Sequence, residues 1–94
     1  MIINFEHNGS EIGTFDINAP LHVIEEQIIV LAKPDENGFC SENPEMYEVL
    51  DKLEEMGYII TDCDDAQTID LFVEDVDCYV NNEQLNKILS GEIK

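Results

Sequence analysis

Carboxylates are the one reactive group this chain has in excess: 22 of its 94 residues are Asp or Glu, against four lysines and no arginine. Fifteen of those acids fall between Asp35 and Asp77, where Lys52 is the one base. Calcium is the first chemistry such a stretch suggests. An EF-hand loop places ligands at alternating positions, a glycine at the sixth and a glutamate at the twelfth. Counting from Asp62 puts Asp64 third and Ala66 fifth, but Gln67 sixth and Val73 twelfth, so both the turn and the bidentate ligand fail.

Zinc would have to draw on Cys40, Cys63, Cys78, His7 and His22, which are scattered without the close ligand pairing of structural zinc sites. An odd number of cysteines with no Cys-x-x-Cys spacing fits reduced thiols better than a disulfide frame. Cys63 and Cys78 read as small core residues on strands, and Cys40 as a loop thiol. Catalysis has little to work with. Cys40 meets His7 or His22 only by tertiary coincidence, and there is no serine elbow, no Gly-rich phosphate loop and no Arg to hold an anionic substrate. No catalytic role, metal or cofactor is expected.

What the acids can do together is electrostatic. The formal net charge is −18, whereas a magnitude of about 2 to 8 is ample to keep a small domain soluble. Such a surface repels nucleic acid and anionic membranes and attracts basic proteins, so direct nucleic-acid and membrane partners are not expected. No run approaches the roughly 18 apolar residues of a membrane span. The opening MIINFEHNGSEIG lacks the basic and apolar parts of a signal peptide. A cytoplasmic protein is the expectation.

The elements that must carry these acids follow from hydrophobic periodicity. Residues 2–17 alternate as a β-hairpin around Asn8-Gly9-Ser10. A two-residue turn would put Phe15 and Ile17 on the wrong face. A three-residue Asn8-Gly9-Ser10 connection with a bulge sets Ile3 beside Phe15 and gives the hairpin one apolar face. Residues 20–32 read as a helix, with Asn18 as N-cap, Pro20 in the first turn and Leu21, Ile24, Ile28 and Leu31 on one side. The β-branched run Ile28-Ile29-Val30 fits a strand as well. Val23 and Val30 lie off the stripe, so the helix is either buried between layers or offers an apolar strip to a partner.

After a loop over 33–43, Asn43 as cap and Pro44 as first residue start a helix over 44–56, closed by Gly57. Met46, Val49, Leu50, Leu53 and Met56 form its apolar side; Glu48, Asp51, Glu54 and Glu55 stand opposite. Residues 58–63 and 68–74 read as strands, and 76–80 as a further strand whose Cys78 and Val80 face Leu71 and Ile69. Asn81 and Asn82 cap a last helix over 83–90, stopped by Gly91. The expected order is ββααβββα: one α+β domain over residues 1–94, its mostly antiparallel sheet covered on one face by helices.

On these elements Glu45, Glu48, Asp51, Glu54, Glu55, Asp62, Asp64, Asp65, Glu74, Asp75 and Asp77 are the candidate partner-binding residues. Glu48, Asp51 and Glu55 rise by about 4.5 and 6 Å along one helical face, comparable to the roughly 3.4 Å of axial rise per phosphate of a nucleic-acid strand. A short acidic chain of this kind resembles the small phage-encoded DNA-mimic inhibitors, the anti-CRISPR and anti-restriction proteins, in size and composition over its whole length. That resemblance implies tight binding in the nucleic-acid groove of a basic partner, a nuclease complex of host defence, with carboxylates meeting Arg and Lys. The alternative with the same electrostatics is an immunity protein or antitoxin for a basic toxin; a cytosolic adaptor is a further one.

Overall fold

The first two strands form the hairpin that the alternation predicts, β1 (Ile2–His7) and β2 (Ser10–Ile17), antiparallel with Ile3 opposite Phe15. The computed structural model describes residues 2–7, 10–63, 69–72, 76 and 80–91, without the side chains of His7 and Phe72. The parity argument holds, but the odd residue is not Ser10. His7 pairs with Ser10, and the register slips where Phe5 faces Gly13 while Glu6 faces Glu11. Ile12 is therefore the extra residue, placed in a bulge within the strand, where it is left exposed.

Two further strands complete a mixed sheet in the order β3-β2-β1-β4, with β3 spanning Ile60–Asp62 and β4 spanning Ile69–Phe72. β3 runs antiparallel to β2, whereas β4 lies parallel to β1, with Ile69 beside Ile3 and Leu71 beside Phe5. That pairing sets Leu71 next to the buried Phe5, which is what a core-facing apolar position requires. The expected strand over 76–80, with Cys78 facing Leu71 and Val80 facing Ile69, is not seen at its described ends. Val76 is buried in the core and Val80 half-buried, neither of them in a strand, and Asp77, Cys78 and Tyr79 lie outside the described residues. Among the described residues the order is ββααββα, and the fold is a single α+β domain.

Helix α1 (Leu21–Ala32) starts one residue later than expected, with Pro20 rather than Asn18 at the N-cap. The Pro20 carbonyl accepts from Val23 and Ile24 at 3.0 and 3.3 Å, and the Asn18 backbone N–H donates to the Ile59 carbonyl at 3.0 Å. Burial decides the ambiguity of the β-branched run. Ile24, Gln27, Ile28, Ile29 and Ala32 are all buried, and Leu21, Val23 and Leu31 pack against the same core, so tertiary contact outweighs the weak helix propensity of Ile and Val. The reading of α1 as a buried helix holds.

Helix α2 (Met46–Glu55) presses Met46, Val49, Leu50 and Leu53 into the core. Its N-cap is Glu45, not Asn43: Glu45 and Glu48 form a reciprocal capping box, while Pro44 stays ahead of the helix and is buried. Its far end is a Schellman turn. Gly57, at φ 95°, donates to Glu54 at 3.0 Å, and Tyr58 donates to Leu53 at 3.1 Å. Met56 falls in that turn and is exposed, leaving the apolar face one residue shorter than the periodicity suggests. The last helix, α3 (Asn82–Leu89), is capped by the Asn81 carbonyl oxygen Oδ1, which accepts from the Gln84 amide at 2.8 Å.

The core thus lies between α1, α2 and the sheet face that carries Ile3, Phe5, Ile17 and Leu71. Phe5 and Phe15 meet edge to face at 6.3 Å within it.

Candidate functional site

Helix α2 turns its predicted acids to solvent because its other side is core. Glu45, Glu48, Asp51, Glu54 and Glu55 are all exposed, while Met46, Val49, Leu50 and Leu53 between them are buried and Tyr47 is exposed beside them. Two of these acids also hold the helix. The Glu45 side chain accepts from the Glu48 amide, and Glu48 Oε2 accepts from the Glu45 amide at 3.3 Å. Lys52 approaches Glu55 at 3.8 Å in an exposed pair, which screening makes weak. Asp62, at the end of β3, is opposite Phe15 and so lies on the helix side of the sheet, exposed at its edge. Asp64, Asp65, Glu74, Asp75 and Asp77 lie outside the described residues.

Where α1 ends and α2 begins there is a cleft of about 400 Å³, lined by Leu31, Lys33, Glu42, Asn43, Glu45 and Glu48. Three carboxylates around an aliphatic wall suit a long basic side chain, whose stem can lie on Leu31 while its charged head meets the acids. Lys33, itself part of the lining, is in the left-handed conformation, φ 54°.

A second carboxylate surface was not among the predicted residues. On the sheet face opposite the core, Asn4 is flanked by Thr14 on β2 and Asp70 on β4. The Asn4 amide donates to Asp70 Oδ1 at 3.1 Å and to Glu6 Oε1 at 3.2 Å. Thr14 Oγ1 stands 3.1 Å from Asn4 Oδ1 and 3.0 Å from Glu11 Oε1, and its single proton serves one of them at a time. Asp16 and Thr61, paired across β2 and β3, continue this face and are exposed. The signal for it was the polar half of the strand alternation at Asn4, Glu6, Thr14, Asp16 and Asp70, overlooked because the acids cluster more densely between Asp35 and Asp77.

Negative charge therefore leaves the molecule on two sides, from the outer face of α2 and from the outer face of the sheet. Among the described residues no group of three or more His, Cys, Asp or Glu is arranged to hold a metal ion. Cys40 and Cys63 are half-buried thiols; Cys63 lies just past β3 rather than inside a strand, its amide donating to Thr14 at 3.0 Å. No described helix is long and apolar enough to cross a membrane. No protein-family model, curated protein or solved structure matches the chain.

Proposed function

We propose that the protein is an acidic, non-enzymatic inhibitor that acts in the cytoplasm as a nucleic-acid mimic, lodging in the basic nucleic-acid groove of a defence nuclease or another DNA- or RNA-binding protein. The observation that supports this most is the display on α2: exposed carboxylates on one side of a helix whose other side is core. A disordered acidic tail would have to be ordered on binding, whereas these side chains start from a fixed backbone. Arg and Lys in the groove would exchange phosphate oxygens for carboxylate oxygens, and nucleic acid would be excluded by occupancy.

The test is capture of basic proteins from a host lysate at low and moderate salt, followed by competition between the captured protein's nucleic acid and this chain. Mutual exclusion, lost when Asp51, Glu54 and Glu55 are replaced together by Lys, is the expected result. Simultaneous binding of nucleic acid and this chain would sink the mimic. Capture of one small toxin, neutralised without competition from nucleic acid, would favour an immunity protein instead.

A further inference from the structure

The loop between α1 and α2 holds an aromatic ring in water on a closely hydrogen-bonded frame. Asp35 Oδ1 accepts from the amides of Asn37 and Phe39 at 2.8 and 3.0 Å. The Asp35 amide donates to Phe39 at 2.9 Å, and the Gly38 amide to Asp35 at 3.0 Å. Pro34 and Cys40 are joined by an antiparallel bridge, and the Glu42 amide closes the base on Ala32 at 3.0 Å. Gly38, at φ 86°, is packed towards the last helix, since a Cβ there would lie 3.6 Å from Leu85 and 3.8 Å from Val80. On this frame Phe39 is 73% exposed, more than any other described large hydrophobic residue.

A single exposed Phe is ordinary on a protein surface. This one differs in its setting. Its loop is already ordered, so little entropy is lost when the ring is covered. Its neighbours Asp35, Glu36 and Glu42 are exposed carboxylates. Glu42 also lines the acidic cleft with Glu45 and Glu48, which joins the loop to the carboxylate face of α2. A second copy of this chain is a poor occupant, because two surfaces of net charge −18 repel.

We infer that Phe39 is the apolar anchor of the docking surface, entering an apolar pocket rimmed by Lys and Arg on a cationic partner protein. This rests on the proposed reading of the protein as a binder of basic surfaces. The carboxylates set encounter and orientation, and the ring adds affinity that salt does not screen.

Two synthetic helical peptides of equal positive charge test it, one with a Lys/Leu amphipathic face and one with Gln in place of Leu. Affinities are measured by fluorescence anisotropy across a salt series for the native chain, for Phe39→Ser, and for the triple variant Asp51→Lys, Glu54→Lys, Glu55→Lys. The native chain should prefer the Lys/Leu peptide by about tenfold. Phe39→Ser should abolish that preference while keeping the salt slope and the melting temperature; the triple variant should flatten the slope.

A preference that survives in Phe39→Ser would overturn the anchor and leave the electrostatic reading standing. Absence of salt-dependent binding to either peptide would overturn both. Sedimentation equilibrium showing a dimer that Phe39→Ser dissociates would also overturn it, by making a second copy the occupant.

Discussion

Glu45 and Glu48 cap α2 by exchanging hydrogen bonds, each carboxylate accepting the other residue's backbone amide, with Glu48 Oε2 at 3.3 Å from the Glu45 nitrogen. Two acids of the candidate binding face thus support the helix that displays them. Glu48→Lys should cost about 1 to 2 kcal/mol, losing the acceptor and placing a cation at the positive end of the helix dipole. Asp51→Lys, on the same face but mid-helix, should stay within about 0.5 kcal/mol of the native protein. Urea denaturation of the two variants separates fold from surface, and equal costs would refute the distinction.

Lys33 ends α1 at φ 54°, the one positive φ of a non-glycine residue among those described. A Cβ is strained there and glycine is not. Lys33→Gly should raise stability by about 0.5 to 1 kcal/mol even though the net charge becomes more negative. A lower denaturation midpoint would mean that the lysine's charge matters more than its backbone.

Gln27 is buried within α1, and its Oε1 accepts no hydrogen bond among the described residues. A desolvated carbonyl oxygen without a donor opposes folding. Gln27→Met keeps the length of the side chain and removes that oxygen, so a gain of about 1 kcal/mol is expected in chemical denaturation. A loss would show that the amide is supporting the packing.

Glu25 on α1 has its carboxyl held above the ordinary value of 4.5, first by desolvation; the nearby His22 pulls it down and Glu26 pushes it up. The folded protein then holds this proton more tightly than the unfolded chain does. Its contribution favours folding below about pH 4.5 and is lost as pH rises through the raised value. Glu25→Gln should therefore melt slightly higher than the native protein at neutral pH, by under about 1 kcal/mol because the carboxyl is only partly buried, and the gap should close in acid. A gap of equal size at both pH values would point away from ionisation.

Self-repulsion among charges that sum to −18 predicts that salt stabilises the fold. Between about 0.01 and 0.15 M the screening length falls from about 30 to about 8 Å, and the melting temperature should rise by a few degrees. A flat response would mean that the carboxylates are already compensated by bound cations.

Read without its fold, the chain already specifies a great deal. Alternation and the 3.6-residue period locate both hairpin strands, α2, α3 and the acidic side of α2, because those patterns reflect which face of each element meets water. Composition fixes the sign of the surface potential. The pairing of β4 with β1 is a tertiary matter, since nothing in the spacing of Leu71 and Phe5 along the chain sets them side by side until the core assembles. The same holds for α1, where Ile28-Ile29-Val30 suits strand or helix until burial against the sheet and α2 decides. The second acidic face exists only once β1, β2 and β4 align Asn4, Thr14 and Asp70. Local spacing determines what each element can present; which elements share a surface depends on contacts between residues as distant as Asn4 and Asp70.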